Sequence, residues 1–121
     1  MGNDLKHLAK RERAALEEYL RRLRQEYEDQ VLRVTLFGSK VRGDFDEESD
    51  VDLLIVIRSD DRCTYRPIER MGTDIALKYG VVLSELIMGP RRYELNRQYR
   101  SPLYRNIERE GVELWMKTPA S

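Results

Sequence analysis

Residues 31–57 read VLRVTLFGSKVRGDFDEESDVDLLIVI, two apolar runs joined by a polar link that contains glycine. The first run, Val31–Phe37, is rich in β-branched residues and stops at Gly38, which is typical of a buried strand. The second run, Val51–Ile57, is almost continuously apolar and too short for a typical helix, so it predicts a central strand. We therefore expect two adjacent strands joined by this polar link.

The sequence on either side predicts helices and one further strand. Apolar residues recur at helical spacing over residues 5–28, which predicts a long amphipathic N-terminal helix. The same spacing over residues 67–79 predicts a second helix, and residues 81–88 predict a third strand. Residues 91–116 form a mainly helical C-terminal segment, in which helical spacing over residues 91–110 is broken before Pro102 and ended by Gly111, with a short VELWM run behind it. We interpret residues 1–121 as a single domain with its core at residues 31–89.

Composition limits the class of protein. Hydrophobic residues make up 40% of the 121 residues, which is enough for a folded core. The single cysteine excludes an internal disulfide framework, and no apolar run reaches about 18 residues, so we expect a soluble, cytoplasmic protein with no membrane partner. Basic and acidic residues balance at 22 each, which argues against a general nucleic-acid-coating role.

The charges are nevertheless uneven along the chain. Residues 43–52 hold six acids and no base, whereas residues 91–109 hold six arginines and two acids. The arginines could bind a nucleic acid or face an acidic partner protein, and the sequence leaves both readings open.

Gly38 and Ser39 follow the first strand at a predicted sharp turn into a short helical segment. A glycine lets the backbone approach a phosphate closely, and free N–H groups at a helix start attract an anion. Taken alone, a Gly-Ser pair after a strand is most often a simple turn. The pair becomes a candidate phosphate site only in combination with other groups.

Asp50 and Asp52 flank the first residue of the second strand. Since alternate residues on a strand face the same way, the two carboxylates project from one face, about 6 to 7 Å apart at their Cα atoms. Such oxygen ligands suit Mg²⁺, which takes a few carboxylates together with substrate phosphates. The alternative is that the aspartates only end the strand and face water. A phosphate-binding turn and a carboxylate pair on adjacent strands together suit a nucleoside triphosphate with magnesium.

Residues 38–53 resemble the signature GSxxxGxxxxxSDxDL of the minimal nucleotidyltransferase (MNT) family, within the DNA polymerase β superfamily. The matching positions are Gly38, Ser39, Gly43, Ser49, Asp50, Asp52 and Leu53. The resemblance implies an α/β (α+β) nucleotidyltransferase fold, a small mixed β-sheet with flanking helices. It also implies transfer of a nucleoside monophosphate, here taken as AMP from ATP, to an acceptor hydroxyl.

The same resemblance assigns roles to individual residues. Asp50 and Asp52 would hold two Mg²⁺ ions. The Ser39 hydroxyl and the N–H groups near Gly38 would hold the β- and γ-phosphates.

Three further residues are candidates for the nucleotide site. Lys40 and Arg42 are close enough in sequence to contact phosphate, although either could be a surface charge. Ser49 belongs to the matched signature and is expected to order the loop by capping backbone groups.

Active members of the superfamily usually carry a third carboxylate on a neighbouring strand. Here the only acid in residues 81–88 is Glu85, and Ser84 beside it faces the opposite way. If Glu85 faces the metals, it can serve as third ligand and general base, with its pKa raised by apolar surroundings. If Ser84 faces them, the site is incomplete. Our working prediction is that Glu85 is a metal ligand and catalytic residue.

The leading interpretation is a magnesium-dependent nucleotidyltransferase that adenylylates a partner protein. Stand-alone proteins resembling this one are often antitoxins paired with a HEPN-domain ribonuclease, so a HEPN toxin is the expected partner, in a homo- or hetero-oligomer. One alternative is a catalytically weak binding module that keeps the fold and neutralises its partner by stoichiometric contact. Another alternative is nucleotide transfer to a small molecule, although we expect the chain to be too short to complete a pocket for such an acceptor by itself.

Overall fold

A computed structural model describes residues 5–43 and 50–116. The elements in chain order are α1 (Lys10–Tyr27), β1 (Val31–Phe37), α2 (Ser39–Arg42), β2 (Val51–Ile57), α3 (Tyr65–Tyr79), β3 (Leu83–Met88), α4 (Pro90–Gln98), α5 (Pro102–Glu110) and β4 (Val112–Met116). Both strands predicted from residues 31–57 are confirmed with the predicted bounds. Within the described ranges, no helix has the length and apolar character needed to cross a membrane.

The strands form one mixed sheet in the order β3-β2-β1-β4. β1 pairs antiparallel with both β2 and β4, whereas β2 and β3 run parallel. A parallel pair needs a crossover connection, and α3 provides it. The predicted class, a small mixed sheet with flanking helices, is therefore confirmed.

The alternation of side chains along β2 divides the interior into two cores. Val51, Leu53, Ile55 and Ile57 belong to the larger core, which α1 and α3 cover. Leu54 and Val56 face the other side, where they pack with Met88 of β3 and Ile107 of α5. Both faces of this strand are buried, which explains why its sequence is almost continuously apolar.

The N-terminal helix is shorter than the predicted residues 5–28. It begins at Lys10 because Ala9 is extended and its N–H donates to Glu12 Oε1 at 2.8 Å, which caps the first turn. Leu5 and Leu8 lie in a separate turn, in which the Leu8 N–H donates to the Leu5 carbonyl at 3.1 Å. Both leucines are buried in the larger core. Their helical spacing in the sequence therefore comes from their burial, and they do not belong to α1.

The helical part of the C-terminal segment ends at Gly111, as the sequence predicts. This residue is extended (φ −64°, ψ 139°) and ends α5. The following residues form β4, which places Val112 opposite Leu36 and Glu113 opposite Thr35. The last part of the C-terminal segment 91–116 is therefore a strand on the edge of the sheet, beside β1.

Candidate functional site

The end of β1 and the start of β2 meet at Gly38 and Asp52. The antiparallel register sets Phe37 opposite Asp52, so the residue after β1 lies beside this carboxylate. Gly38 has φ 86° and ψ −161°, a conformation that is essentially restricted to glycine. A Cβ added at Gly38 would lie 2.2 Å from Asp52 Oδ2. The structure thus brings the glycine-serine bend and one predicted metal ligand into direct contact.

Asp50 directly precedes β2 and is close enough to Asp52 for its charge to act on that carboxyl. Burial raises the pKa of Asp52, and the negative charge of Asp50 raises it further. The Arg42 guanidinium acts in the opposite direction on the pKa of Asp52, and Glu110 adds a smaller increase. A carboxylate whose ionisation is disfavoured by burial and by a neighbouring negative charge is one that a divalent cation would stabilise.

Ser39 begins α2 directly after the bend. The Gly38 carbonyl accepts from the Val41 N–H at 3.0 Å and from the Arg42 N–H at 3.2 Å, which closes the short helix. In the part of the chain that the structure describes, neither the N–H nor the hydroxyl of Ser39 has a hydrogen-bond partner. Both groups are available for an anion at this point. Ser49, the other predicted hydroxyl, lies outside the described residues.

Glu110 is a site residue that the sequence did not reveal. Its side chain is only 7% exposed, and its Oε2 accepts from the Gly38 N–H at 2.7 Å and from Arg42 Nη1 at 2.9 Å. Its Oε1 is buried, lies 3.8 Å from Arg109 and has no hydrogen-bond partner among the described residues. Glu110 thus holds the bend from the side opposite Asp52. Consequently the Gly38 N–H, predicted to bind phosphate, is already bound in this structure.

Arg42 and Lys40 differ in their placement although they are two residues apart. Arg42 pairs with Glu110 and is close enough to Asp52 to lower its pKa, so it remains at the site. Lys40 Nζ lies 3.1 Å from Glu12 Oε2 on α1, and both side chains are less than a tenth exposed. Lys40 is therefore neither a surface charge nor a phosphate contact here. The correction is that it anchors α2 to α1 through a buried ion pair.

Glu85 lies on the opposite face of the sheet from the aspartates. The parallel register pairs Leu53 with Glu85 and Asp52 with Ser84. Neighbouring residues in register share a face, so Ser84 is on the side of Asp52. The prediction that Glu85 is a third metal ligand and catalytic residue is therefore wrong. A one-residue difference in register decides between the two alternatives, and the structure selects Ser84.

The surroundings of Glu85 give it a structural role. Its Oε2 accepts a short hydrogen bond from the hydroxyl of Tyr19 on α1, and its other oxygen lies where a Cβ of Gly72 on α3 would be. Burial raises the pKa of Glu85 to about 7, which the Tyr19 hydrogen bond partly offsets. The acid thus bridges the edge strand to two helices.

The donor set at the site fits a magnesium ion that substrate oxygens complete. No group of three or more His, Cys, Asp or Glu side chains within residues 5–43 and 50–116 could hold a metal ion. Asp50 and Asp52 supply carboxylate oxygens, and Mg²⁺ typically takes one or two carboxylates with phosphate oxygens and water. The pair is therefore sufficient for a metal that arrives with a triphosphate.

Replacement of Gly38 should destabilise the protein more than replacement of another left-handed glycine. Gly80 also has a positive φ, 65°, but an added Cβ there meets nothing within 4 Å. We expect Gly80→Ala to cost about 1 kcal/mol of unfolding free energy and Gly38→Ala at least about 3 kcal/mol, because the second adds a clash with Asp52 to the backbone strain. Urea denaturation measures both, and equal losses would contradict the close contact.

Glu110→Ala should cost about 1 to 3 kcal/mol of unfolding free energy, because it leaves the buried Gly38 N–H without its acceptor. Glu108→Ala is the matched control on the same helix. Glu108 lies 3.6 Å from Arg100, and both side chains are half or more exposed, so its removal should change stability by less than about 0.5 kcal/mol. Urea midpoints that shift equally for the two variants would show that Glu110 does not hold the bend.

Glu85 should make stability depend on pH. Its pKa rises from 4.5 to about 7 on folding, so the stability it contributes is complete below pH 4.5 and is lost as the pH approaches 7. Relative to Glu85→Gln, we expect wild-type protein to lose about 2 kcal/mol between pH 5 and pH 8. Urea unfolding at both values tests this, with Glu108→Gln as an exposed acid control. A constant difference would contradict the buried, uncharged state.

Comparison with known proteins finds relatives that align with most of this chain. A protein of Methanocaldococcus jannaschii named "Putative protein adenylyltransferase" is 33% identical over 104 residues, which cover 86% of this chain and 98% of the relative. A second protein of that organism with the same name is 33% identical over 87 residues, 71% of this chain and 81% of the relative.

Two solved structures share the fold at 17% sequence identity. A crystal structure described as a toxin-antitoxin with AMP-PNP superposes with a TM-score of 0.55, over 84% of this chain and 74% of the other. A "putative nucleotidyltransferase" from Sulfolobus solfataricus superposes with a TM-score of 0.57, over 97% of this chain and 93% of the other. Residues 16–111 match the family model described as "Nucleotidyltransferase domain", so the chain belongs to the nucleotidyltransferase family that the glycine-serine and aspartate motifs resemble.

Proposed function

We propose that this protein transfers AMP from ATP to a hydroxyl group of a partner protein, with magnesium held by Asp50 and Asp52. The observation that carries the proposal is the contact between Asp52 and the Gly38 bend, with the charge of Asp50 close to Asp52. This contact sets carboxylates for a cation beside groups that can bind phosphate. The name of the Methanocaldococcus relatives supports protein adenylylation, and AMP-PNP in the toxin-antitoxin structure supports ATP as the nucleotide.

In the proposed reaction, the acceptor oxygen forms a bond to the α-phosphorus and pyrophosphate leaves. The Ser39 hydroxyl and N–H donate to the leaving phosphates, and the Arg42 guanidinium adds positive charge on the same side. Asp50 and Asp52 would hold the magnesium, which would supply positive charge beside the phosphates, and the acceptor hydroxyl would release its proton to solvent. Glu110 acts on the reaction indirectly, because it holds the Gly38 peptide and Arg42 in position.

We further propose that the acceptor is a HEPN-type ribonuclease toxin, which the modification inactivates. The similarity to a toxin-antitoxin structure supports this class of partner. The described residues form one small domain around a single sheet, which suits an acceptor that supplies its own binding surface.

The aspartate pair provides the test of catalysis. With ATP labelled at the α-phosphate, magnesium and the copurifying partner, Asp52→Asn should reduce transfer by more than about 100-fold, because it removes a direct metal ligand. ATP labelled at the γ-phosphate should give no labelled protein. Glu85→Gln is the matched control, since it also removes one carboxylate from the sheet but on the other face, and it should retain the wild-type rate. No α-label on any protein, with any nucleoside triphosphate, would refute the proposal.

A second candidate function is stoichiometric neutralisation by a catalytically weak protein. The observation that favours it is Ser84 in the position beside Asp52 where a third carboxylate would be expected. Cells that express the partner separate the two functions. If the Asp50→Asn, Asp52→Asn variant no longer protects these cells from growth arrest by the partner, neutralisation depends on catalysis. If the variant protects them as well as wild-type protein does, binding alone is sufficient.

A further inference from the structure

Strand β3 is an open edge of the sheet. The order β3-β2-β1-β4 leaves one side of β3 without a neighbouring strand among the described residues. Its inner side pairs with β2 from Leu83 to Met88. An unpaired edge presents a row of N–H and C=O groups that can pair with another extended chain.

Two adjoining cavities line this open edge. The first, of about 350 Å³, lies against Glu85, Leu86 and Ile87 of β3 and is bordered by residues of α3 and by Arg92 of α4. The second, of about 310 Å³, continues towards Asp60 and the exposed Leu95. Both cavities share Arg62, Tyr65 and Arg92. We call the two together the β3 trough.

The β3 trough carries an excess of positive charge. Four exposed arginines line it, and none of them forms an ion pair with any described residue: Arg62, Arg66, Arg91 and Arg92. This contrasts with Arg33, Arg42 and Arg97, each of which pairs with a glutamate.

The acids that face these arginines compensate them only in part. Asp60 accepts a hydrogen bond from the Arg91 backbone N–H at 3.3 Å, and Glu69 is exposed at the border of the first cavity. Glu85 is engaged by Tyr19, and burial raises its pKa to about 7. The trough therefore holds four arginines against three acids, one of which is already engaged by Tyr19.

We propose that the β3 trough binds an extended acidic segment of a partner protein, which adds to the sheet as a further strand beside β3. The edge supplies main-chain hydrogen bonds, and the arginines supply charge complementarity. A second copy of this chain would bring the same arginines together and is disfavoured by repulsion. Arg62, Arg91 and Arg92 follow the ends of β2 and β3 that lie away from Asp52, and the argument for this binding uses no step of nucleotide transfer.

The charge of the trough is tested with a fluorescein-labelled decapeptide of alternating glutamate and valine. Anisotropy should show binding to the full chain, and Arg62→Glu with Arg92→Glu should weaken it by at least about tenfold. The matched control is Arg11→Glu with Arg105→Glu, which makes the same change of charge at exposed arginines outside the trough and should alter binding by less than about twofold. Equal effects of the two double variants would overturn the proposal.

Strand addition is tested with the same peptide carrying N-methyl groups at alternate residues. Loss of these donors should weaken binding by at least about tenfold, and the unmethylated peptide should slow amide hydrogen exchange in residues 83–88. Unchanged affinity of the methylated peptide would overturn the proposal. A ten-residue uridine oligonucleotide that binds more tightly than the peptide, and loses affinity with the Arg62→Glu, Arg92→Glu variant, would also overturn it in favour of a nucleic-acid surface.

Discussion

The register that sets Phe37 opposite Asp52 is the constraint on which the site depends. Because β1 ends where β2 begins, the chain must pass over the Asp52 carboxylate as it leaves the sheet, and only a glycine leaves room for it. Glu110 then fixes the same peptide from the other side. The site is therefore a junction of three segments, the end of β1, the start of β2 and the end of α5. The pairing of β4 with β1 brings the third segment there.

The same alternation that joins the aspartates separates them from Glu85. Side chains in register on β2 and β3 share a face, so Asp52 has Ser84 as its neighbour and Leu53 has Glu85. A raised pKa is often a sign of a catalytic group, yet at Glu85 it has a structural cause, since the carboxyl is buried between two helices and hydrogen-bonded to Tyr19. The face of the sheet on which Glu85 lies, and not its pKa, decides its role.

Sequence reasoning predicted the parts of this protein that local patterns determine. The strands Val31–Phe37 and Val51–Ile57 have strong apolar signals, and the alternation of Asp50 and Asp52 follows from strand geometry alone. Local patterns could not predict the register of β3 against β2, because a shift of one residue exchanges the positions of Ser84 and Glu85. Strand β4 was missed because its partner β1 is far away in sequence. Glu110 gave no signal, because its contacts with Gly38 and Arg42 span about 70 residues.

Equal numbers of acids and bases conceal two opposite local charges in the folded chain. At the start of β2, Asp50, Asp52 and Glu110 face Arg42, and one buried oxygen of Glu110 has no hydrogen-bond partner among the described residues. At the far ends of β2 and β3, four arginines exceed the acids around them. Uncompensated charge lowers the stability of a small domain through self-repulsion. A ligand of opposite charge that binds only the folded chain raises that stability again. Each end of the central strands is therefore electrostatically suited to a different partner, a cation with its nucleotide at one and an acidic chain at the other.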